Sequence, residues 1–163
     1  MKKILYLILI VPLLITAQNT SSEIYNSFEN EENVNSFTFS KFMLDAIDMT
    51  SEDENGIIHH ITGDLHKVKF LNFNGDNPEN YKKLNRLFNN SIYKLVDVDT
   101  SDTEGVLVYI ARKGRDISEV HLLIDDIGHG SLISIYGKLK SEELCAISKA
   151  LNMNACNHFK YIK

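Results

Sequence analysis

Three histidines, His59, His60 and His66, lie close together with Asp64 among them. Imidazole and carboxylate are the groups that hold a divalent transition metal, but this spacing fits no established ligand motif, and HExxH is absent. They read as connector histidines ahead of a strand, and no metal site is assigned. Two acidic loops raise the question of calcium. Placing Asp53-Glu54-Asn55-Gly56 at positions 3 to 6 of an EF-hand puts Ser51 at position 1 and Thr62 at position 12, so both key carboxylates are missing. The loop 97–104 carries Asp97, Asp99, Asp102 and Glu104 without the required glycine and reads as a solvated turn, with weak calcium binding as the alternative. Gly128-His129-Gly130-Ser131 follows Asp125 and Asp126. In a hairpin these side chains need not converge, and a catalytic triad is a matter of geometry, so the segment is read as a turn. There is no G-x-S-x-G elbow and no P-loop. No catalytic residue and no cofactor is assigned.

The start of the chain speaks to compartment. Lys2 and Lys3 precede an uncharged apolar run, Ile4 to Ile15, broken by Pro12; Thr16-Ala17 then offers a small residue before polar Gln18-Asn19-Thr20. Residues 1–17 therefore read as a secretory signal peptide, too short for a membrane span of roughly 20 residues; an uncleaved N-terminal anchor is the alternative. The expectation is an exported protein, periplasmic or secreted, with no transmembrane segment after cleavage. Loss of Lys2 and Lys3 takes the net charge from −5 to −7. Such acidity argues against nucleic acid, which demands clustered Lys and Arg. In an oxidising compartment Cys145 and Cys156 can form a disulfide tying the tail to the last helix; two free thiols are the alternative.

The elements that must position any site follow from patterning. Residues 18–36, rich in Asn, Ser and Glu, read as a disordered polar linker, with a short amphipathic turn around Tyr25–Phe28 as the alternative. Phe39, Phe42, Met43, Ala46 and Ile47 share one face of a helix. Leu65–Phe73 reads as a strand, and Asn77-Pro78-Glu79 as the start of a helix with Tyr81, Leu84 and Phe88 on its buried side. Strands follow at Ile92–Asp99, Val106–Lys113, Ile117–Asp125 and Leu132–Leu139, punctuated by turn residues. Ser141 caps a last helix carrying Leu144, Ile147 and Leu151. The expected fold is a single α+β domain over 37–163, of order α-β-α-β-β-β-β-α. Its mostly antiparallel sheet has about five strands, with helices packed on one face.

The signal ending in Thr-Ala-Gln and the opening Phe39-Ser40-Lys41-Phe42-Met43-Leu44-Asp45 carry a resemblance. So do Tyr93-Lys94-Leu95-Val96, Ile117-Ser118-Glu119-Val120 and Gly137-Lys138-Leu139. Over roughly 39–151 the chain resembles the domain-of-unknown-function family 4252, small exported or lipoprotein-type proteins of Bacteroidetes-like bacteria. Many members have a lipobox cysteine, which this chain lacks. The resemblance implies no catalytic or ligand residues.

Strand alternation sorts the sheet into two faces. One, with Val68, Phe70, Val96, Val98, Val106, Val108, Ile110, Val120, Leu122, Ile124, Ile133 and Ile135, is the expected helix-covered core. The other carries Lys67, Lys69, Tyr93, Asp97, Leu107, Tyr109, Glu119, His121, Leu123, Ser134, Tyr136 and Lys138. It reads as an open face whose tyrosines suit binding, with Tyr109, His121, Tyr136 and Lys138 as candidate contacts; ordinary cross-strand pairing on a solvated face is the alternative. The functional expectation is a non-catalytic binding module of the bacterial envelope, its partner an envelope protein or a small envelope component. A regulatory protein of an envelope signalling system comes second, and an enzyme third.

Overall fold

The computed structural model describes residues 18–46, 50–52, 58–60, 65–74, 78–96, 105–126, 129–140, 143–144 and 147. The signal segment, Asp64, the loop 97–104, and Cys145 and Cys156 with their candidate disulfide lie outside the described residues.

The stretch expected to be a linker is folded. Helix α1, Ser21–Asn26, starts from a capping box: the Thr20 side chain accepts from the Glu23 backbone N–H, and the Glu23 carboxylate accepts from the Thr20 N–H at 2.7 Å. Its few apolar residues suffice because they are concentrated. Ile24, Tyr25 and Phe28 are all buried. The next stretch, Val34–Ser40, is strand β1. This corrects the expected helix from Phe39: Phe37 and Phe39 alternate with Ser36, Thr38 and Ser40, and the period of two prevails until α2, Lys41–Ala46. Short strands β2 (Thr50–Glu52) and β3 (Ile58–His60) pair with each other, apart from the main sheet.

Strand β4, Leu65–Phe73, and helix α3, Pro78–Asn89, stand where the sequence placed them. Strands β5 (Lys94–Val96), β6 (Val106–Lys113), β7 (Asp116–Asp126) and β8 (His129–Leu139) complete a six-stranded antiparallel sheet of order β1-β4-β8-β7-β6-β5. The extra strand over the expected five is β1, paired along its length with β4. Gly114, at φ 68, opens the two-residue hairpin between β6 and β7, a positive angle that a side chain resists.

The helices lie on both faces, not one. On the first, Leu44 of α2 packs with Val68, Val108, Ile110, Val120, Leu122 and Ile135, joined by Leu144 and Ile147, which are helical and buried. On the second, Ile24 and Tyr25 of α1, Phe28 in the turn after it, and Leu84 and Phe88 of α3 cover Leu71, Phe73, Tyr109, Leu123 and Leu132. Topology dictates this. Strand β4 is second from one edge and β5 is the opposite edge, so α3, which joins them, has to cross the sheet, and it does so over the second face.

Candidate functional site

The face expected to be open is closed by α1 and α3, and this moves two of the four candidate contacts inside. Tyr109 on β6 is buried, its ring 5.0 Å from Phe88, and its hydroxyl donates to Asn89 Oδ1 at 2.8 Å. His121, directly across from it on β7, is 0 % exposed. Its ring lies 4.2 Å from that of Tyr93 and 5.9 Å from that of Tyr136. Tyr136 is half-buried, and Lys138 is exposed with its ammonium 3.7 Å from Asp116.

His121 is the centre of a buried polar row. Its Nδ1 lies 2.8 Å from Ser134 Oγ, and Ser134 too is 0 % exposed. With the Ser134 hydroxyl donating to Nδ1, the neutral ring carries its proton on Nε2. That nitrogen stands 3.3 Å from Glu119 Oε2 but out of line for a hydrogen bond. Helix α1 fastens both ends of the row. The Tyr25 hydroxyl lies 3.0 Å from Ser134 Oγ and 3.1 Å from the Lys69 carbonyl. Ser21 donates through Oγ to Glu119 at 3.2 Å and through its backbone N–H to the Tyr93 oxygen at 2.7 Å; Tyr93 in turn donates to Glu119 at 3.0 Å.

Electrostatics follow from this burial. Desolvation holds His121 below the ordinary histidine value, outweighing the attraction of Glu119, so the ring is neutral at pH 7. Burial pushes Glu119 up, but His121 and the hydroxyls of Tyr93 and Ser21 overcome it, and the carboxyl sits below its usual value. Burial also raises Tyr93 to about 12, against hydrogen bonds from Ser21. Tyr25, Tyr109 and Tyr136 are raised for the same first reason. The residue types of a serine–histidine–acid triad are thus present, but Ser134 and His121 have no access to solvent.

Where the row meets the surface there is a cleft of about 400 Å³. Glu119 and Tyr136 line it on the side of the row, with His66, Lys113, Asp116 and Lys138 around them. Three adjoining ladders shift register beside it: β4 between Leu65 and Lys67, β6 between Ala111 and Arg112, and β7 between Ile117 and Glu119. Such bulges re-aim side chains, and they concentrate next to sites. The Lys67 ammonium stands 4.1 Å over the Tyr136 ring, holding it at the rim. Acids and bases so arranged can contact a polar ligand bearing both charge signs.

The family model described as Domain of unknown function (DUF4252) matches residues 25–147. The chain belongs to this family. The DUF4252 match begins at Tyr25, inside α1, and runs through every strand of the sheet to Ile147. No curated protein and no solved structure matches the chain.

Of the four candidate contacts, then, Tyr136 and Lys138 meet at the cleft, while Tyr109 and His121 belong to the interior. The partners that sequence reasoning missed are Ser21 and Tyr25. A signal for them existed: Thr20-Ser21-Ser22-Glu23 has the form of a capping box, and Ile24 and Phe28 stand one helical turn apart.

Proposed function

We propose that this protein is an exported, non-catalytic binding module of the bacterial envelope. Its contact surface is the cleft lined by His66, Asp116, Glu119, Tyr136 and Lys138. Its ligand is a polar segment of an envelope protein or a small envelope component that carries charge of both signs. The observation that carries this reading is the contrast between a sealed row and an open cleft. Ser134 and His121 are 0 % exposed, so no substrate reaches the nucleophile and base, whereas charged side chains gather around the cleft at the three register shifts. The signal-like residues 1–17 support export.

Lys138 is exposed, so Lys138→Glu reverses a charge at the cleft without touching either core. In a pull-down from envelope extract, the wild type should capture a partner that Lys138→Glu loses, at an unchanged thermal midpoint. Equal capture by the two proteins, or no capture by the wild type, overturns the reading.

A further inference from the structure

Strand β1 is an edge of the sheet, and among the described residues no strand pairs with its outer side. Natural edge strands are guarded by a charge, a proline, a bulge or short length. Strand β1 has none of these. Val34-Asn35-Ser36-Phe37-Thr38-Phe39-Ser40 is uncharged and free of proline, and it keeps unbroken register with β4 over seven residues. At its midpoint Phe37 is 51 % exposed, on the face it shares with Phe39 and Phe70. Just past its end, on the first turn of α2, Phe42 is 85 % exposed.

The charges flanking the strand specify what fits this edge. Glu29, Glu31 and Glu32 precede β1, and Lys41 follows it, exposed and 2.8 Å from the equally exposed Asp45 one turn along α2. Lys83 pairs with Glu31 at 2.6 Å, and Glu32 is exposed. A parallel neighbour of the same sequence would set acid beside acid. An antiparallel copy sets the Lys41 of each beside the Glu32 of the other, at both ends, with nothing charged between. We propose that β1 is a self-association edge. Two copies of the chain pair antiparallel through it about a twofold axis at Phe37, joining their sheets into one. In this register Phe37 opposes Phe37, Asn35 opposes Phe39 and Val34 opposes Ser40, the self-complementary pattern of an isologous contact. Cross-strand aromatic pairs of this kind add stability. The two Lys41–Glu32 contacts fix the direction.

Sedimentation of the protein expressed from its full sequence tests this. The wild type should show a mass that doubles as concentration rises and stops at two. Phe37→Lys places two ammonium groups face to face, so it should stay at the monomer mass, with the thermal midpoint of the wild type at dilutions where that too is monomeric; Phe37→Ser, which adds no charge, should weaken the pair less. Glu32→Lys and Lys41→Glu should each weaken it, and the double variant should recover it, a rescue that a purely intramolecular role of either residue would not produce. A wild type that stays monomeric, assembly beyond two copies, a Phe37→Lys variant that dimerises like the wild type, or a double variant that fails to recover overturns the proposal.

Discussion

The two faces of this sheet are cores of different kinds. On the first, Leu44, Val68, Val108, Val120, Leu122 and Ile135 meet, and among the described residues no buried polar side chain joins them. On the second, leucines and phenylalanines surround Tyr25, Tyr93, Tyr109, His121 and Ser134, and four of these five make hydrogen bonds with one another or with Glu119 and Ser21. The fifth, Tyr109, bonds to Asn89. An apolar face asks chiefly for volume, so an apolar side chain of the right size will serve. The second face asks for partners, because a buried polar atom left without one costs more than the bond contributes. Helix α1 supplies several of those partners, so a six-residue element secures a face far larger than itself.

Three experiments press on this contrast. The largest effect is expected on the first face: Leu122→Ala should cost about 3 kcal/mol, through lost burial and the cavity left behind. A lowered denaturant midpoint at unchanged slope would verify it. Next comes Ser134→Ala, which removes little volume but leaves His121 Nδ1 buried without a partner. About 2 kcal/mol should be lost, and Ile135→Val, which removes a single methyl group on the other face, serves as the volume control. If Ser134→Ala costs nothing, the second face is held by volume like the first.

The smallest effect is a slope. The His121 value is depressed below 6.5 in the folded state, so the unfolded chain takes up a proton there before the folded chain does. Stability is then fully present above about 6.5 and falls as the pH drops through the folded value. Glu119, depressed below 4.5, adds a second loss that begins lower. Urea midpoints followed from about neutral to about pH 5 should fall for the wild type and stay flat for His121→Gln; carried below 4.5, the second loss should be smaller in the variant, which lacks one of the groups that hold Glu119 down.

The first face was legible because it obeys the simplest rule. Val108, Val120, Leu122 and Ile135 alternate in β-rich runs, and all are core. The boundaries of β4 and the start of α3 at Pro78 were equally plain. The second face was misread for a physical reason. Tyrosine, histidine and serine look the same in a sequence whether water or protein satisfies them, and Lys67 and Lys69 beside them made the strands read as solvated. The ammonium groups of those lysines in fact stand over the rings of Tyr136 and Tyr25, at 4.1 and 3.9 Å. The decisive cover, α1, sat in a segment whose average composition hid three concentrated apolar residues. Reading the capping box ahead of the composition would have closed the face and placed Tyr109 and His121 inside.

The strand order also governs how this chain reaches its native state. Strands β6, β7 and β8 follow one another and pair as neighbours, so that ribbon forms from local contacts. Strand β4 pairs instead with β8, Leu71 meeting Leu132, after the whole of α3, β5, β6 and β7 has intervened. Closing so long a loop costs entropy before any contact repays it, and topologies of this sort fold slowly. Helix α1 needs β4, α3 and β7 already in place to find Lys69, Lys83 and Glu119. Helix α1 is therefore among the last elements to settle, and until it does, His121 and its neighbours face water.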